Sequence, residues 1–114
     1  LGDASFGMTG MEVETAVRMG IPTLTIIVNN GGAGGALMTM DRPNMAPPSM
    51  SQLGGNFTLV AQGLGAHAER VERPGDLKPA FRRAIDATES GTAAVVEVMI
   101  KPMATPQPPE DWGL

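Results

Sequence analysis

The stretch Thr23-Leu24-Thr25-Ile26-Ile27-Val28, followed by Asn29-Asn30-Gly31-Gly32, decides the fold. Residues 23–28 are β-branched and almost continuously apolar, which is typical of a strand covered on both faces in a parallel sheet. The asparagines and glycines that follow favour a turn and end the strand. We therefore expect a buried parallel strand whose carboxyl end carries two amide side chains.

The segment before this strand predicts a crossover helix. Residues 1–7 read as the end of an earlier strand that runs into a glycine-bounded turn. Thr9 and Glu12 have the spacing of a capping box, so we expect the helix to begin at Thr9. Its apolar face follows the helical period and ends at a glycine: Val13, Ala16, Val17 and Gly20.

Downstream of the strand, a long irregular segment precedes two further helix and strand pairs. Residues 33–55 hold four Met and three Pro without periodicity and read as a functional loop. The expected elements are a helix over 57–65 capped by Asn56, a strand over 68–72, a helix capped by Asp76 and ended by Gly91, and a strand over 93–100. Helices that alternate with buried strands predict an α/β fold, an open parallel sheet with flanking helices.

The composition indicates a single, mildly acidic globular domain. Eight Lys and Arg against 12 Asp and Glu give a net charge of −4, which disfavours a nucleic-acid partner. The absence of Cys excludes thiolate chemistry and fits a reducing compartment, so we expect a cytoplasmic location. No apolar run reaches the ~18 residues of a membrane span, so no membrane partner is expected.

The domain is expected to occupy residues 1–101. Residues 102–114 contain four Pro and one Trp and should form an extended tail rather than an element. Because the strand that ends at Leu1 would lie mostly upstream, we expect the domain to be incomplete at its N-terminus.

Oxygen-bearing groups follow the ends of two predicted strands. Asp3 follows one strand, and Asn29, Asn30 and the peptide carbonyls of Gly31 and Gly32 follow the next. Because carboxyl ends of parallel strands meet at one edge, where α/β sheets bind ligands, these groups should lie together. Hard oxygen donors suit Mg²⁺ or Ca²⁺, and one carboxylate is too little charge for an all-protein cage. Phosphate oxygens and water would complete the coordination.

The segment after Asp3 supplies donors for such a phosphate. Ala4, Ser5 and Phe6 precede the predicted helix N-terminus, so their amides and the Ser5 hydroxyl are expected to donate to it. The residues by themselves therefore predict a site for a Mg²⁺-bridged phosphate ester.

The same residues carry a resemblance to a known family. Gly2-Asp3-Ala4-Ser5-Phe6 through Asn29-Asn30 resembles the two-part GDG…NN signature of thiamine diphosphate (ThDP) dependent enzymes, at the usual spacing. Residues 2–6 are similar to acetolactate synthases, whereas residues 10–15 and 29–32 resemble oxalyl-CoA decarboxylases and 2-hydroxyacyl-CoA lyases. A looser likeness extends to the last strand. Ala4 departs from the more common second glycine.

This resemblance implies the C-terminal part of a pyrophosphate-binding domain, with ThDP and Mg²⁺ as cofactors. Asp3, the Asn30 side chain and the Gly32 carbonyl would ligate the metal. The cofactor-binding set as a whole would be Gly2, Asp3, Ala4, Ser5, Asn30 and Gly32. Leu37, Met38 and Met40 would line the substrate channel. No catalytic residue is assigned, because the glutamate that activates the cofactor in this family belongs to a separate pyrimidine domain.

The resemblance further implies a carboligase, lyase or decarboxylase acting on a 2-oxo acid or an acyl-CoA. Other segments or subunits would supply the pyrimidine domain, and the family's interfacial site makes a homo-oligomer the expectation. The 114 residues alone should lack turnover.

Two alternatives stay open. One is a non-catalytic binding or assembly module that keeps the scaffold without ThDP. The other is a nucleotide-binding domain, although residues 31–35 lack G-x-G-x-x-G spacing. His67, the only histidine, is expected to pack or cap rather than act as a base. Glu12 and Glu14 face different sides of a helix and form no carboxylate pair.

Overall fold

The computed structural model describes residues 1–33 and 52–101. The helices of these ranges are α1 (Asp3–Thr9), α2 (Glu12–Arg18), α3 (Phe57–Gly63) and α4 (Pro74–Glu89). The strands are β1 (Leu24–Asn29), β2 (His67–Val71) and β3 (Ala94–Met99). The expected tail 102–114 and the channel residues Leu37, Met38 and Met40 lie outside the described residues, as does most of the expected loop. The division of the chain at residue 101 stays a prediction.

The three strands form one parallel sheet in the order β1-β3-β2. The central strand β3 pairs with both neighbours, so that Leu24 and His67 each lie opposite Ala94. Parallel neighbours cannot be joined by a tight hairpin, and α4 provides the crossover from β2 to β3. The predicted α/β fold, an open parallel sheet with flanking helices, is confirmed.

The first two residues pair with the outer edge of β1. The Val28 amide donates to the Leu1 carbonyl at 2.8 Å, and Gly2 forms a parallel bridge with Val28. Leu1 and Gly2 therefore pair with β1 through an isolated bridge, and the strand expected to end at Leu1 stays a prediction. The predicted turn that follows is wrong, because α1 begins at Asp3 directly after the pairing.

Two apolar clusters lie on opposite faces of the sheet. The cluster beneath α1, α2 and α3 consists of Phe6, Val13, Ile27, Ala61, Ala66, Ala68 and Val95. The cluster beneath α4 consists of Val71, Ala80, Ala84, Ala94 and Val96. Successive strand residues point to opposite faces, which is why neighbours in β3 belong to different clusters. The core thus lies on both sides of β3.

Strand β1 differs from the expectation of burial on both faces. Ile27 is fully buried, but Leu24, Ile26 and Val28 are 38, 36 and 42% exposed. These three residues share the face on which α4 lies, and the α4 cluster is built on β2 and β3. Among residues 1–33 and 52–101, α4 is the helix on that face and packs on β2 and β3, so β1 is buried on one side.

The predicted capping box is wrong. Helix α2 begins at Glu12 with Met11 as its N-cap and no side-chain cap, while the Thr9 hydroxyl donates to the Ser5 carbonyl at 3.2 Å within α1. The break falls at Gly10, whose amide donates to the Phe6 carbonyl. A Cβ at Gly10 would lie 2.6 Å from the Phe6 ring, so the packing of this ring requires a glycine where α1 ends.

The limits of the later helices are largely as predicted. The Asn56 side chain accepts from the Leu59 amide at 2.9 Å and caps α3. Gly91, with φ of 88°, follows the C-terminus of α4. Asp76 is not the cap of α4, because the helix already begins at Pro74, whose fixed φ suits the first helical turn. Asp76 lies in that turn and accepts from Arg73 Nε at 2.9 Å.

Candidate cofactor-binding site

Asp3 is a buried carboxylate at the carboxyl-terminal edge of the sheet. Its position follows from the Gly2 bridge to β1, which directs the next residue into the start of α1. Asp3 is 2% exposed, and Oδ1 accepts from the Ala4 amide at 3.0 Å. The other oxygen, Oδ2, is buried and has no hydrogen-bond partner among the described residues. One acceptor of this side chain therefore remains available to a donor or a cation.

The turn after β1 is held by its own side-chain amides. Asn29 Oδ1 accepts from the Gly31 amide at 2.9 Å, and Asn30 Oδ1 accepts from the Gly32 amide at 3.2 Å. Gly31 adopts φ of 76°, a conformation that glycine enters without strain. The turn is therefore built around two successive Asn side chains, each of which caps an amide two residues ahead.

The two glycine carbonyls of this turn differ. The Gly31 carbonyl accepts from the Leu53 amide at 3.0 Å, so one of its two lone pairs is already used, and its place among the cation-binding oxygens stays a prediction. Gly32 is buried and forms an antiparallel bridge with Gln52, but no amide of the described residues donates to its carbonyl. Between the two, the Gly32 carbonyl is the one that accepts from no amide of the described residues.

Sheet pairing brings Asp3 and the Asn30 turn to the same edge. Gly2 lies opposite Val28, so Asp3 is one residue beyond the pairing on one strand and Asn30 two residues beyond it on the next. Asn30 is half-buried, and its carbonyl oxygen retains a second lone pair while it accepts from Gly32. The predicted gathering of oxygen donors at neighbouring strand ends follows from this register.

The donors after Asp3 are arranged differently from the prediction. Ala4 and Ser5 do not precede a helix but form its first turn. The first helical hydrogen bond runs from the Phe6 amide to the Gly2 carbonyl at 3.0 Å, which leaves the Ala4 and Ser5 amides outside the helical ladder. The Ala4 amide instead donates to Asp3, and Ser5 is exposed.

Glu97 is a functional candidate that the sequence reasoning missed. It is fully buried in β3, where Asn29 Nδ2 donates to its Oε1 at 2.7 Å. The Thr58 amide and hydroxyl both donate to Oε2, at 3.0 and 2.7 Å. The available signal was one acidic residue inside the otherwise apolar run Ala94–Met99. Charged residues are almost never fully buried unless they are paired, so this position predicts a partner.

His67 lies on the face of the sheet opposite to that of Glu97. Its Nε2 is 3.0 Å from Glu69 Oε1, and Arg83 of α4 donates to both Glu69 oxygens at 2.8 and 2.6 Å. Hydrogen bonding from Arg83 lowers the pKa of the Glu69 carboxyl, partial burial opposes this shift, and His67 adds to it. Within the described residues the contact of His67 is with Glu69 rather than with a helix end, and the expectation that it packs or caps stays a prediction.

Two further properties of the described residues concern membranes and metals. Of the helices between residues 1 and 33 and between 52 and 101, none is long and apolar enough to cross a membrane. The same residues contain no group of three or more His, Cys, Asp or Glu side chains that could hold a metal ion.

The fold and this edge together define an α/β ligand-binding domain, with an acidic residue and an amide-rich turn at adjacent strand ends. Comparison with known families identifies the family to which this domain belongs. The family model described as thiamine pyrophosphate enzyme, C-terminal TPP binding domain, matches residues 1–98. The chain belongs to this family.

Individual relatives agree with this membership. A probable acetolactate synthase of Mycobacterium bovis is 35% identical over 102 residues, which cover 89% of this chain and 18% of the relative. A 2-hydroxyacyl-CoA lyase of Arabidopsis thaliana is 34% identical over 110 residues, covering 90% and 18%. A ThDP-dependent 4-hydroxybenzoylformate decarboxylase of Rhodococcus jostii aligns with a TM-score of 0.71 at 26% identity, covering 89% and 19%. The chain thus spans less than a fifth of the length of these proteins.

Proposed function

We propose that Asp3, the Asn30 side chain and the Gly32 carbonyl bind Mg²⁺, which in turn binds the diphosphate of ThDP. The observation that carries this proposal is the buried Asp3 Oδ2, which has no partner among the described residues. Such an oxygen costs free energy unless a donor or cation meets it. Carboxylate, amide and peptide oxygens are the ligands Mg²⁺ prefers, and substrate phosphates commonly complete its coordination.

The diphosphate itself would contact Gly2, Ala4 and Ser5. The Ser5 amide lies outside the α1 ladder and Ser5 is exposed, which supports this role. The Ala4 amide already donates to Asp3 Oδ1 at 3.0 Å and would be shared between Asp3 and the phosphate. Gly2 has φ of −78° and ψ of 164° and no atom within 4 Å of a Cβ built on it, so the chain there leaves room for a ligand. These groups would donate to phosphate oxygens while the metal neutralises their charge.

The full-length polypeptide is proposed to be a ThDP-dependent carboligase, lyase or decarboxylase for 2-oxo acids or acyl-CoA substrates. Bound ThDP supplies the electron sink for making or breaking a carbon–carbon bond beside a carbonyl. The described residues would anchor the cofactor, while pyrimidine-domain segments and a homo-oligomeric assembly would complete the active site. Support comes from family membership and from relatives named as an acetolactate synthase and a 2-hydroxyacyl-CoA lyase.

Substitution of the two ligating side chains tests the metal site. In the full-length polypeptide, we expect Asn30→Ala to weaken ThDP binding in Mg²⁺, because the metal loses a neutral oxygen ligand. We expect Asp3→Ala to weaken it by about 3 kcal/mol, because the metal charge loses its carboxylate partner. That corresponds to roughly a hundredfold increase in Kd. Calorimetric titration of ThDP at fixed Mg²⁺ measures the change.

Asp86→Ala is the matched control, because Asp86 is an exposed acid on α4, away from the sheet edge. It should leave ThDP affinity unchanged. Unchanged affinity in Asp3→Ala, with the protein folded, would contradict the proposed site.

Turnover assays separate the remaining alternatives. Purified full-length polypeptide is incubated with ThDP, Mg²⁺ and, separately, pyruvate, oxalyl-CoA and a 2-hydroxyacyl-CoA, and products are identified by mass spectrometry. Product from one of these supports the enzyme and names its substrate class. Tight ThDP binding without any product would favour the non-catalytic module, and NADH binding in place of ThDP would favour the nucleotide-binding domain.

A further inference from the structure

We propose that Glu97 is a positioning residue that holds the turn from Asn29 to Gly32 in the shape needed to present Asn30 and the Gly32 carbonyl. This inference rests on the proposed function, because it assigns Glu97 a role toward the same metal site. Glu97 lies on the central strand β3, and its partner Asn29 ends the neighbouring strand β1, 68 residues away in sequence.

The hydrogen bonds of Glu97 define its chemical form. Asn29 Nδ2 donates to Oε1, while the Thr58 amide and hydroxyl donate to Oε2. Arg70 Nη1 lies 3.9 Å from Oε1. The Asn29 NH₂ group, the Thr58 amide and the Arg70 guanidinium can only donate, and the Thr58 hydroxyl donates here, so both Glu97 oxygens act as acceptors.

This carboxylate decides which way the Asn29 amide points. Because Glu97 can only accept, the NH₂ group of Asn29 must face it, which leaves Asn29 Oδ1 directed at the Gly31 amide at 2.9 Å. The Gly31 amide is thereby held where φ reaches 76° and the chain turns into Gly32. Glu97 therefore orients Asn29, and Asn29 in turn fixes the turn that presents the Asn30 side chain and the Gly32 carbonyl to the proposed metal.

Stabilisation of the sheet alone does not call for a charge at this position. Glu97 is fully buried between apolar neighbours in β3, and replacing a buried ionic group by a well-packed apolar one is often neutral or stabilising. What an apolar side chain could not do is accept from Asn29 and fix its amide. Partners that orient metal ligands in this way typically contribute about 10- to 100-fold to metal affinity.

The test uses Glu97→Gln, the exchanged pair Asn29→Asp with Glu97→Gln, and Thr58→Val as the matched control. In the single variant Glu97→Gln, the introduced amide presents an NH₂ group to a set of donors, so one contact is lost. In the exchanged pair, the new carboxylate at position 29 accepts from the Gly31 amide and from the new amide at position 97. The carbonyl oxygen of that amide accepts from Thr58, so every hydrogen bond is restored. Thr58→Val removes one donor to Glu97 but leaves the Asn29 contact in place.

The measurement is equilibrium dialysis of ThDP against the full-length polypeptide at graded Mg²⁺, alongside the Tm of the ligand-free protein. We expect Glu97→Gln to raise the Mg²⁺ concentration for half-saturation by about 10- to 100-fold. The exchanged pair should recover most of this loss, and Thr58→Val should lower Tm while leaving half-saturation within about twofold.

The outcomes separate the two proposals. If the unmodified protein does not bind ThDP in a Mg²⁺-dependent way, both fail. If it does, but Glu97→Gln and Thr58→Val lower Tm alike and neither shifts half-saturation, Glu97 is structural and only the positioning role is overturned. If Glu97→Gln does not fold, the single variant Asn29→Asp is compared with the exchanged pair. An equal Mg²⁺ concentration for half-saturation in these two variants would overturn the positioning role of Glu97.

Discussion

Asp3 and Glu97 are both buried carboxylates, and they differ in how their oxygens are satisfied. Both oxygens of Glu97 accept hydrogen bonds from Asn29 or Thr58. Asp3 Oδ1 accepts only from the adjacent Ala4 amide, and Oδ2 has no partner among the described residues. A buried polar atom is normally paired, so the unpaired oxygen of Asp3 indicates a ligand. The oxygens of Glu97 are satisfied by groups of the protein itself.

Gly10 offers a test of packing at a single residue. A Cβ there would lie 2.6 Å from both the Phe6 ring and the Phe6 carbonyl, whereas a Cβ at Gly7 would meet nothing within 4 Å. We expect Gly10→Ala to lower the free energy of unfolding by about 1–3 kcal/mol through overpacking against Phe6. Gly7→Ala, in α1, is the matched control and should be neutral or stabilising by about 0.5–1 kcal/mol.

Urea unfolding of the full-length polypeptide, combined with hydrogen exchange of residues 3–9, measures both variants. Equal effects of the two substitutions would show that the Phe6 contact does not decide the conformation at Gly10.

At the scale of elements, two side chains accept hydrogen bonds from the free amides at the N-terminus of α3. Asn56, its own N-cap, accepts from Leu59, and Glu97 of β3 accepts from the Thr58 amide. Neither α1 nor α2 has a side-chain cap, so these two short helices depend on tertiary packing of Phe6 and Val13. Helices α1 and α2 are therefore held mainly by the sheet rather than by local sequence.

The local cap of α3 can be tested by itself. Asn56→Ala should lower the free energy of unfolding by about 1 kcal/mol, because the Leu59 amide loses its acceptor. Asn56→Ser, which retains a capping oxygen, should recover most of the difference. Hydrogen exchange of residues 57–63 should rise in the alanine variant, and an unchanged rate there would mean that the contact of Thr58 with Glu97 suffices to hold this helix.

At the scale of the whole molecule, α4 is joined to the sheet by apolar packing and by the ion pair of Arg83 with Glu69. Ala80 and Ala84 of α4 pack against the sheet, and Arg83 reaches β2 to donate to Glu69. The face of β1 beside α4 stays largely exposed. Among the described residues, strand β1 thus carries both the Asn29–Gly32 turn at its end and an exposed apolar face of Leu24, Ile26 and Val28.

Acid should weaken the attachment of α4 to β2. Because Arg83 lowers the pKa of Glu69 in the folded state, the pair contributes stability above the unfolded value of 4.5, and this contribution is lost as pH falls through the lower folded pKa. Arg83→Gln should therefore reduce stability slightly at neutral pH and converge with the unmodified protein at low pH. Urea unfolding as a function of pH measures this.

Arg82→Gln removes the same charge from the exposed side of α4 and is the matched control. An Arg83→Gln difference that stays constant as the solution is acidified well below the unfolded pKa, or that Arg82→Gln reproduces, would contradict the role of the Glu69 pair.

Much of the fold could be predicted because its signals are local. The apolar β-branched run before Asn29 and the run before Ile100 both predicted strands, and Asn56 and Gly91 marked helix limits that the structure confirms. The errors came from competing local patterns: Thr9 had capping-box spacing, but Phe6 packs against Gly10 and ends α1 there. The spacing of residues along the chain does not reveal that the Phe6 ring packs against Gly10.

By itself, the sequence determined the α/β class, the strand ends that carry Asp3 and Asn30, and membership in the ThDP-binding family, since residue type and spacing are encoded along the chain. Only the tertiary structure decided that Asp3 keeps a buried oxygen without a partner among the described residues, that the Gly31 carbonyl accepts from Leu53, and that Glu97 holds Asn29. These properties depend on packing between segments far apart in sequence. No local pattern contains them, because burial and pairing arise when the sheet brings distant residues together.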